Sequence, residues 1–387
     1  MQKKKAVTKN ITYLSKQLES KNKKKFLMTG GHAASSALVV AEEIRSQKLP
    51  WEIFWIGFNV SFEGAKISSL PTIYFPNYGI KTYSLYTGRL QRKLTPYSIS
   101  SLLKIPFGFF HAFFLLLKIK PHLILSFGGF SAFPVVVVGY ILGIPVLIHE
   151  QTAVVGRANK YSSFFAKKIA ISRETSREYF PPDKTVLVGN PVPREIVSGQ
   201  KSKTKIGKKT LFITGGQSGA EAINSAVIKV LPDLLEKFNI IHLTGLKDEE
   251  KFRRIKLKLT PSNSKNYRVY GIVDPNKYNI LFNSSDIILS RAGANTVSKI
   301  IISEKPSLLI PLPISYLDEQ KKNALYAKRF VHVMIIPQEK LSSSKLLNSL
   351  GYLAEKHVTT NKLGFHHKNP DVDAAKRIVK LIKTHIK

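Results

Sequence analysis

The chain has 387 residues with 43% hydrophobic content, which is enough apolar material for the cores of two or three domains. It has no cysteine, so disulfides, thiolate metal sites and a cysteine nucleophile are excluded. Lysine and arginine number 60 against 25 aspartates and glutamates, a formal charge of +35. Such a surface seeks polyanions: nucleic acid, an anionic membrane or a diphosphate. A general lysine bias would give the same charge.

Residues 1–25 are basic and polar. Ile11, Leu14 and Leu18 have helical spacing, compatible with a short amphipathic helix or a frayed tail. No long apolar stretch of a secretion signal is present there, so a cytosolic setting is expected. From residue 26 onward, short apolar runs alternate with helix-like stretches. FLM, WEIFWIG, HLILSFG, VLIHE, KIAIS and TVLVGN read as strands of a parallel α/β domain over 26–195. Within it, KKKFLMTGGHAASSALVVAEEI reads as strand, glycine turn (Gly30-Gly31) and helix.

Ser98–Ile119 is the most apolar window. Pro106 is expected to break it, and its charge-free part from Ile105 to Leu117 is only 13 residues, too short to span a bilayer. Phe107, Phe110, Phe113 and Phe114 lie in it, flanked by Arg89, Arg92, Lys93, Lys104, Lys118 and Lys120. The window reads either as a buried core helix or as an aromatic face seated on an anionic bilayer.

Residues 191–209 are rich in Pro, Gly, Ser and Lys and read as a linker. The pattern then restarts with KKTLFITGGQSGAEAINSAVI, a second strand, glycine turn and helix. IIHLTG, YRVYGIV, DIILSRAG, PSLLIPL and VHVMIIP follow as strands of a second domain over 208–370. Residues 371–387 form a basic amphipathic helix, able to pack back on the first domain. The D-x-D at Asp371-Val372-Asp373 opens that helix and reads as capping, so no metal is expected. Two glycine-hinged βα units in matching places of two halves predict twin Rossmann-like domains. Each would point a helix N-terminus at an anionic ligand.

Several stretches in one order carry a more specific signal: TGGH at Thr29–His32, FGGFSAFPVVVVGYILGIPVLIHEQTAVVGRANK at Phe127–Lys160, and VGNP at Val188–Pro191. GGQSGAEAIN at Gly215–Asn224, SRAGANTVSKI at Ser290–Ile300 and DEQKKNA at Asp318–Ala324 complete the set. Together they resemble the MurG family of peptidoglycan N-acetylglucosaminyltransferases over roughly residues 26–340. The resemblance implies a GT-B fold with a cleft between two Rossmann-like domains. It implies an inverting transfer of N-acetylglucosamine from UDP-GlcNAc to the 4-hydroxyl of the muramoyl sugar of lipid I, giving lipid II. It also implies a peripheral place on the cytoplasmic face of the membrane, with neither cofactor nor metal.

Carried over residue by residue, Arg291, Gly293, Ala294, Asn295, Thr296, Val297 and Ser298 match the segment that opens a helix under the donor diphosphate. Gln320 and Asn323 match the amides on the sugar hydroxyls, and their spacing puts both on one helix face. Gln217 and Ser218 stand in exchanged order in the second glycine turn; either could meet the donor. Ile272 or Val273 falls near the uracil. Thr29, Gly30 and Gly31 approach the diphosphate or the acceptor, and His32 is the candidate base, with Glu150 as second candidate or orienting group.

Thr152 replaces the asparagine after HEQ, and Arg194 lies one place after the arginine expected behind GNPV. Lys299 stands where the acidic residue of the ribose site is expected, and an ammonium cannot accept hydroxyl bonds. Two other readings remain: another GT-B enzyme, such as a UDP-GlcNAc epimerase or a transferase for a different lipid-linked sugar, and a nucleic-acid-binding protein. No recognition-helix motif supports the last.

Overall fold

The computed structural model describes residues 23–31, 34–59, 69–88, 97–199, 207–216, 220–355 and 369–386. His32, Gln217 and Ser218 lie outside them, as do Arg89, Arg92, Lys93 and nearly all of the basic N-terminal stretch. Two sheets are present. The first holds β1 (Lys24–Thr29), β2 (Trp51–Gly57), β3 (Lys81–Ser84), β4 (Leu123–Ser126), β5 (Val146–Glu150), β6 (Lys168–Ile171) and β7 (Thr185–Leu187), in the order β3-β2-β1-β4-β5-β6-β7. The second holds β8 (Lys209–Thr214), β9 (Phe238–Leu243), β10 (Tyr267–Tyr270), β11 (Ile287–Ser290), β12 (Ser307–Leu309) and β13 (Val333–Ile335), in the order β10-β9-β8-β11-β12-β13.

The neighbours of β1 and of β8 are parallel to them, with Thr29 beside Ser126 and Thr214 beside Ser290. In each sheet the strand order reverses next to the strand that ends in the glycine turn. In doubly wound folds that reversal is where ligands bind, outside the carboxyl ends of the strands. The expected α/β architecture of two Rossmann-like sheets is therefore present.

By their contacts the residues divide into two compact units. Met1–His149, Arg157–Ile169 and Ile378–Lys387 form the first; Glu150–Gly156 and Ala170–Arg377 form the second. The division thus falls well ahead of the compositional linker. Val192 and Ile196 explain why: both are buried in the second unit's core with Phe212, Phe282 and Ile288. The helix Ala374–His385 contributes to both units, and Lys24 Nζ donates to Ile386 O at 3.1 Å within the first.

The helix Tyr97–Ile119 runs through Pro106 without interruption, contrary to the expected break. A proline removes one N–H and crowds the preceding turn. Here the stretch that follows packs Ala112, Leu115, Leu116 and Ile119 against Leu27, Ile124 and Val135, which outweighs that cost. The opposite side of the helix is open. Phe107, Phe110, Phe113 and Phe114 are 62%, 66%, 38% and 65% exposed, so they are not core residues. Among the described residues no helix is long and apolar enough to cross a membrane.

The second unit buries a histidine on β9. His242 Nδ1 lies 2.9 Å from the Tyr267 hydroxyl and Nε2 lies 3.0 Å from Asn224 Oδ1. Burial pushes its pKa down to about 3. The unfolded chain takes up this proton near pH 6.5, whereas the folded chain does not. Stability is therefore full above pH 6.5 and falls as the pH drops toward 3. Between pH 7 and pH 5 this group alone should cost about 2 kcal/mol. Urea unfolding at the two pH values checks it; a His242→Gln variant with an undiminished pH slope would refute the assignment.

Candidate functional site

In the first unit the expected residues Thr29, Gly30 and Gly31 lie at the end of β1, beside the end of β4. Gly31 N–H donates to Gly128 O at 2.9 Å, and Ser131 Oγ donates to Gly30 O at 3.2 Å. Two glycine turns therefore lie against one another. Gly129 has φ +92°, and a side chain there would come within 2.8 Å of Gly31 N, so only glycine fits. Thr29 is fully buried, and its Oγ1 has no hydrogen-bond partner among the described residues.

Glu150 belongs to the second unit by its contacts. Its carboxylate is buried and accepts from Thr152 N–H (3.1 Å) and Gly156 N–H (2.9 Å). Thr152 Oγ1 lies 2.9 Å from Glu150 Oε1 and also 2.9 Å from Val154 O. The acid thus shapes the 150–156 loop.

The residues expected to meet the donor follow the ends of strands of the second sheet. Gly215-Gly216 follows β8; Gly216 has φ +82°, and a side chain there would meet nothing within 4 Å. Gly293 caps the helix Ala294–Ser303 and likewise has open space before it. Ala294, Asn295 and Thr296 are half-buried, and Val297 N–H is the first of the turn to bond back, to Gly293 O at 3.0 Å. The first N–H groups of a helix have no intrahelical acceptor, so this end suits an anion. Ile272 and Val273 lie half-buried in the loop after β10, and Arg194 is exposed on the short helix Arg194–Val197.

Other predicted residues are engaged by groups of the protein itself. Arg291 donates to Ile310 O, Pro311 O and Gln338 Oε1, which ties the β11 turn to later segments; desolvation lowers its pKa. Gln320 Oε1 accepts from Leu312 N–H at 3.0 Å. Asn323 is buried: Nδ2 donates to Ala292 O at 3.2 Å, and Oδ1 accepts from Ala153 N–H at 3.0 Å. Val297 and Ser298 are buried. Lys299 is 8% exposed, with Nζ 3.1 Å from Asn279 Oδ1 and 4.1 Å from the Tyr278 ring centre. Burial pushes its pKa down to about 7, opposed by Glu195.

Asp371 does not cap the last helix. Its carboxylate is buried and receives both Nη groups of Arg173, at 2.5 and 2.9 Å, and the Asn190 N–H at 2.8 Å. A buried arginine demands such a partner. Asp373 pairs with Lys376 one turn on. Arg173 and Asp371 are 198 residues apart, so no local sequence signal announces the pair. No cluster of metal-ligating side chains occurs among the described residues.

Residues 29–171 match the glycosyltransferase family 28 N-terminal domain, and residues 210–378 match the family's C-terminal domain. The solved structure of Acinetobacter baumannii MurG covers 93% of this chain and 99% of its own at TM-score 0.63, with 22% identity. UDP-GlcNAc 2-epimerase from Neisseria meningitidis, solved with UDP-GlcNAc bound, also has TM-score 0.63, with 16% identity over 93% of this chain and 100% of its own. These two likenesses establish the fold. The sequence relationship is narrower. UDP-N-acetylglucosamine–N-acetylmuramyl-(pentapeptide) pyrophosphoryl-undecaprenol N-acetylglucosamine transferase from Clostridium botulinum is 31% identical over 94% of this chain and 100% of its own length. With both halves of the glycosyltransferase family 28 pattern present and a relative matched from end to end, the chain belongs to the MurG family of N-acetylglucosaminyltransferases.

Proposed function

We propose that the chain is an inverting transferase that moves N-acetylglucosamine from UDP-GlcNAc to the muramoyl 4-hydroxyl of lipid I, giving lipid II for peptidoglycan. The observation that carries this is the end-to-end relationship to transferases of that activity. The epimerase likeness is one of fold alone. In the reaction the 4-hydroxyl oxygen bonds to the anomeric carbon while the bond from that carbon to UDP breaks. The electron pair leaves on the diphosphate, and the hydroxyl proton passes to a base.

The principal residues divide the work of this scheme. The open N-terminus of the helix Ala294–Ser303 receives the diphosphate through the N–H groups of Ala294, Asn295 and Thr296, where its dipole offsets the charge developing on the leaving group. Gly215-Gly216 lets the backbone approach the same group. Gln320 serves the sugar, and Ile272 and Val273 serve the uracil. His32 takes the proton, and Glu150 holds the loop beside it in sequence. Lys299, turned inward onto Asn279, leaves the ribose without the carboxylate expected at that position. The exposed phenylalanines of the helix Tyr97–Ile119, with Lys104, Lys118 and Lys120, seat the enzyme peripherally on the anionic cytoplasmic face of the membrane, where the lipid-borne acceptor lies.

Labelled sugar transfer is the direct test. The wild type should convert lipid I and should leave UDP-GlcNAc unchanged when no acceptor is present; turnover without acceptor would mark an epimerase. A His32→Ala variant should lose roughly 10²–10⁴-fold in kcat while still binding UDP. Unchanged kcat would remove His32 from the mechanism. For the membrane face, Phe110→Glu combined with Phe114→Glu should weaken binding to anionic vesicles by about tenfold or more, since each buried Phe is worth about 1.5–3 kcal/mol. Equal vesicle binding by variant and wild type would place the lipid contact elsewhere.

A further inference from the structure

One feature of the second unit has no part in the scheme above. The Arg173 side chain is 2% exposed, and both of its Nη groups are engaged. Nη1 donates to Asp371 Oδ1 at 2.5 Å and to Ser172 O at 3.2 Å. Nη2 donates to Asp371 Oδ2 at 2.9 Å and to Ser298 Oγ at 2.7 Å. The guanidinium carbon lies 4.5 Å from the centre of the Tyr326 ring. Asp371 also holds the backbone of Asn190, whose side-chain Nδ2 donates to Ser298 Oγ (3.0 Å) and Asn295 Oδ1 (2.8 Å).

Arg173 and Asn190 therefore converge on two positions of one helix, and Asp371, far along the chain, holds both of them. Asn295 and Ser298 are three apart, so they share a face of the helix Ala294–Ser303. Tyr326 extends the contact to the helix Glu319–Ala327, which carries Gln320 and Asn323. A cluster of this kind adds little net stability over an apolar replacement of similar volume. What a bidentate guanidinium–carboxylate fork does supply is direction: two parallel bonds fix one orientation, and only that orientation lets Nη2 also reach Ser298.

We propose that Arg173 and Asp371 are positioning residues for donor binding. They fix the rotation and axial setting of the helix Ala294–Ser303, so that its first-turn N–H groups meet the diphosphate of the nucleotide sugar. The inference rests on the reading of that helix end as the diphosphate site. It adds a requirement: the segment at Asp371, far along the chain, is needed for affinity toward UDP.

The test separates positioning from folding. In the double variant Arg173→Met/Asp371→Asn no charge is left buried and the amide oxygen can still accept from the Asn190 N–H, so its Tm should stay near that of the wild type. Its KM for UDP-GlcNAc and its Kd for UDP, by calorimetry, should nonetheless rise about tenfold. Its kcat and its KM for lipid I should change less than about twofold. Arg173→Lys, which keeps the charge opposite Asp371 but cannot also reach Ser298, should show the same donor-only split and covers the case of a double variant that folds poorly. Donor KM and UDP Kd at wild-type values in both variants would overturn the inference, as would kcat and both KM values worsening together. A wild type that transfers sugar but gains no affinity for UDP from this helix, shown by Thr296→Pro leaving the UDP Kd unchanged, would instead remove the diphosphate site itself.

Discussion

In an open parallel sheet covered on both faces, ligands bind outside the carboxyl ends of the strands, where the strand order reverses. Both sheets of this chain are built around that constraint. β1 and β4 end in glycine turns that lie against each other. β8 and β11 end in Gly215-Gly216 and in the Gly293 cap of the helix Ala294–Ser303. At each point the backbone emerges where the strand order reverses, and the helix that follows begins with N–H groups its own turns cannot satisfy. At Gly216 and Gly293 the space beside the backbone is open.

The framework was legible in sequence because its signals are local. Apolar runs, glycine pairs and helical periodicity each act within about a dozen residues, and they located both sheets and both turns. Partnerships across long separations were not legible. Asp371 looked like a helix cap because its neighbours are polar, yet its carboxylate belongs to Arg173, 198 residues away. The stretch after VGNP looked like linker because it is rich in Pro and Ser, yet Val192 and Ile196 enter a core. Pro106 looked like a helix breaker because propensity is local, whereas the packing that overrides it is not. Asn323 and Lys299 could be matched by motif, but motif alone says nothing about which way a side chain turns.

The excess of lysine has a structural share as well as an electrostatic one. Lys208 Nζ donates to Leu235 O and Lys209 Nζ to Ala354 O, near the ends of the helices Leu231–Lys237 and Ser343–Glu355. Lys305 Nζ reaches Asn283 O and Ser285 O at the end of the helix Pro275–Asn283. Helix C-termini carry unpaired carbonyls and partial negative charge, and an ammonium satisfies both. Part of the +35 therefore works as internal capping, and the remainder gives the surface its pull toward anions.

The Arg173–Asp371 pair also limits how the molecule can be dissected. A fragment begun at the Lys-rich stretch before β8 would look like a complete half, with its own sheet and glycine turn. It would nonetheless carry an acid stranded without its cation, and it would lack the asparagine that braces Asn295. Conversely, trimming the tail ahead of residue 371 would leave a guanidinium enclosed with nothing to neutralise it. For protein engineering, the smallest faithful excision is therefore discontinuous along the chain, and any graft of this half onto another scaffold has to bring both ends of the clasp with it.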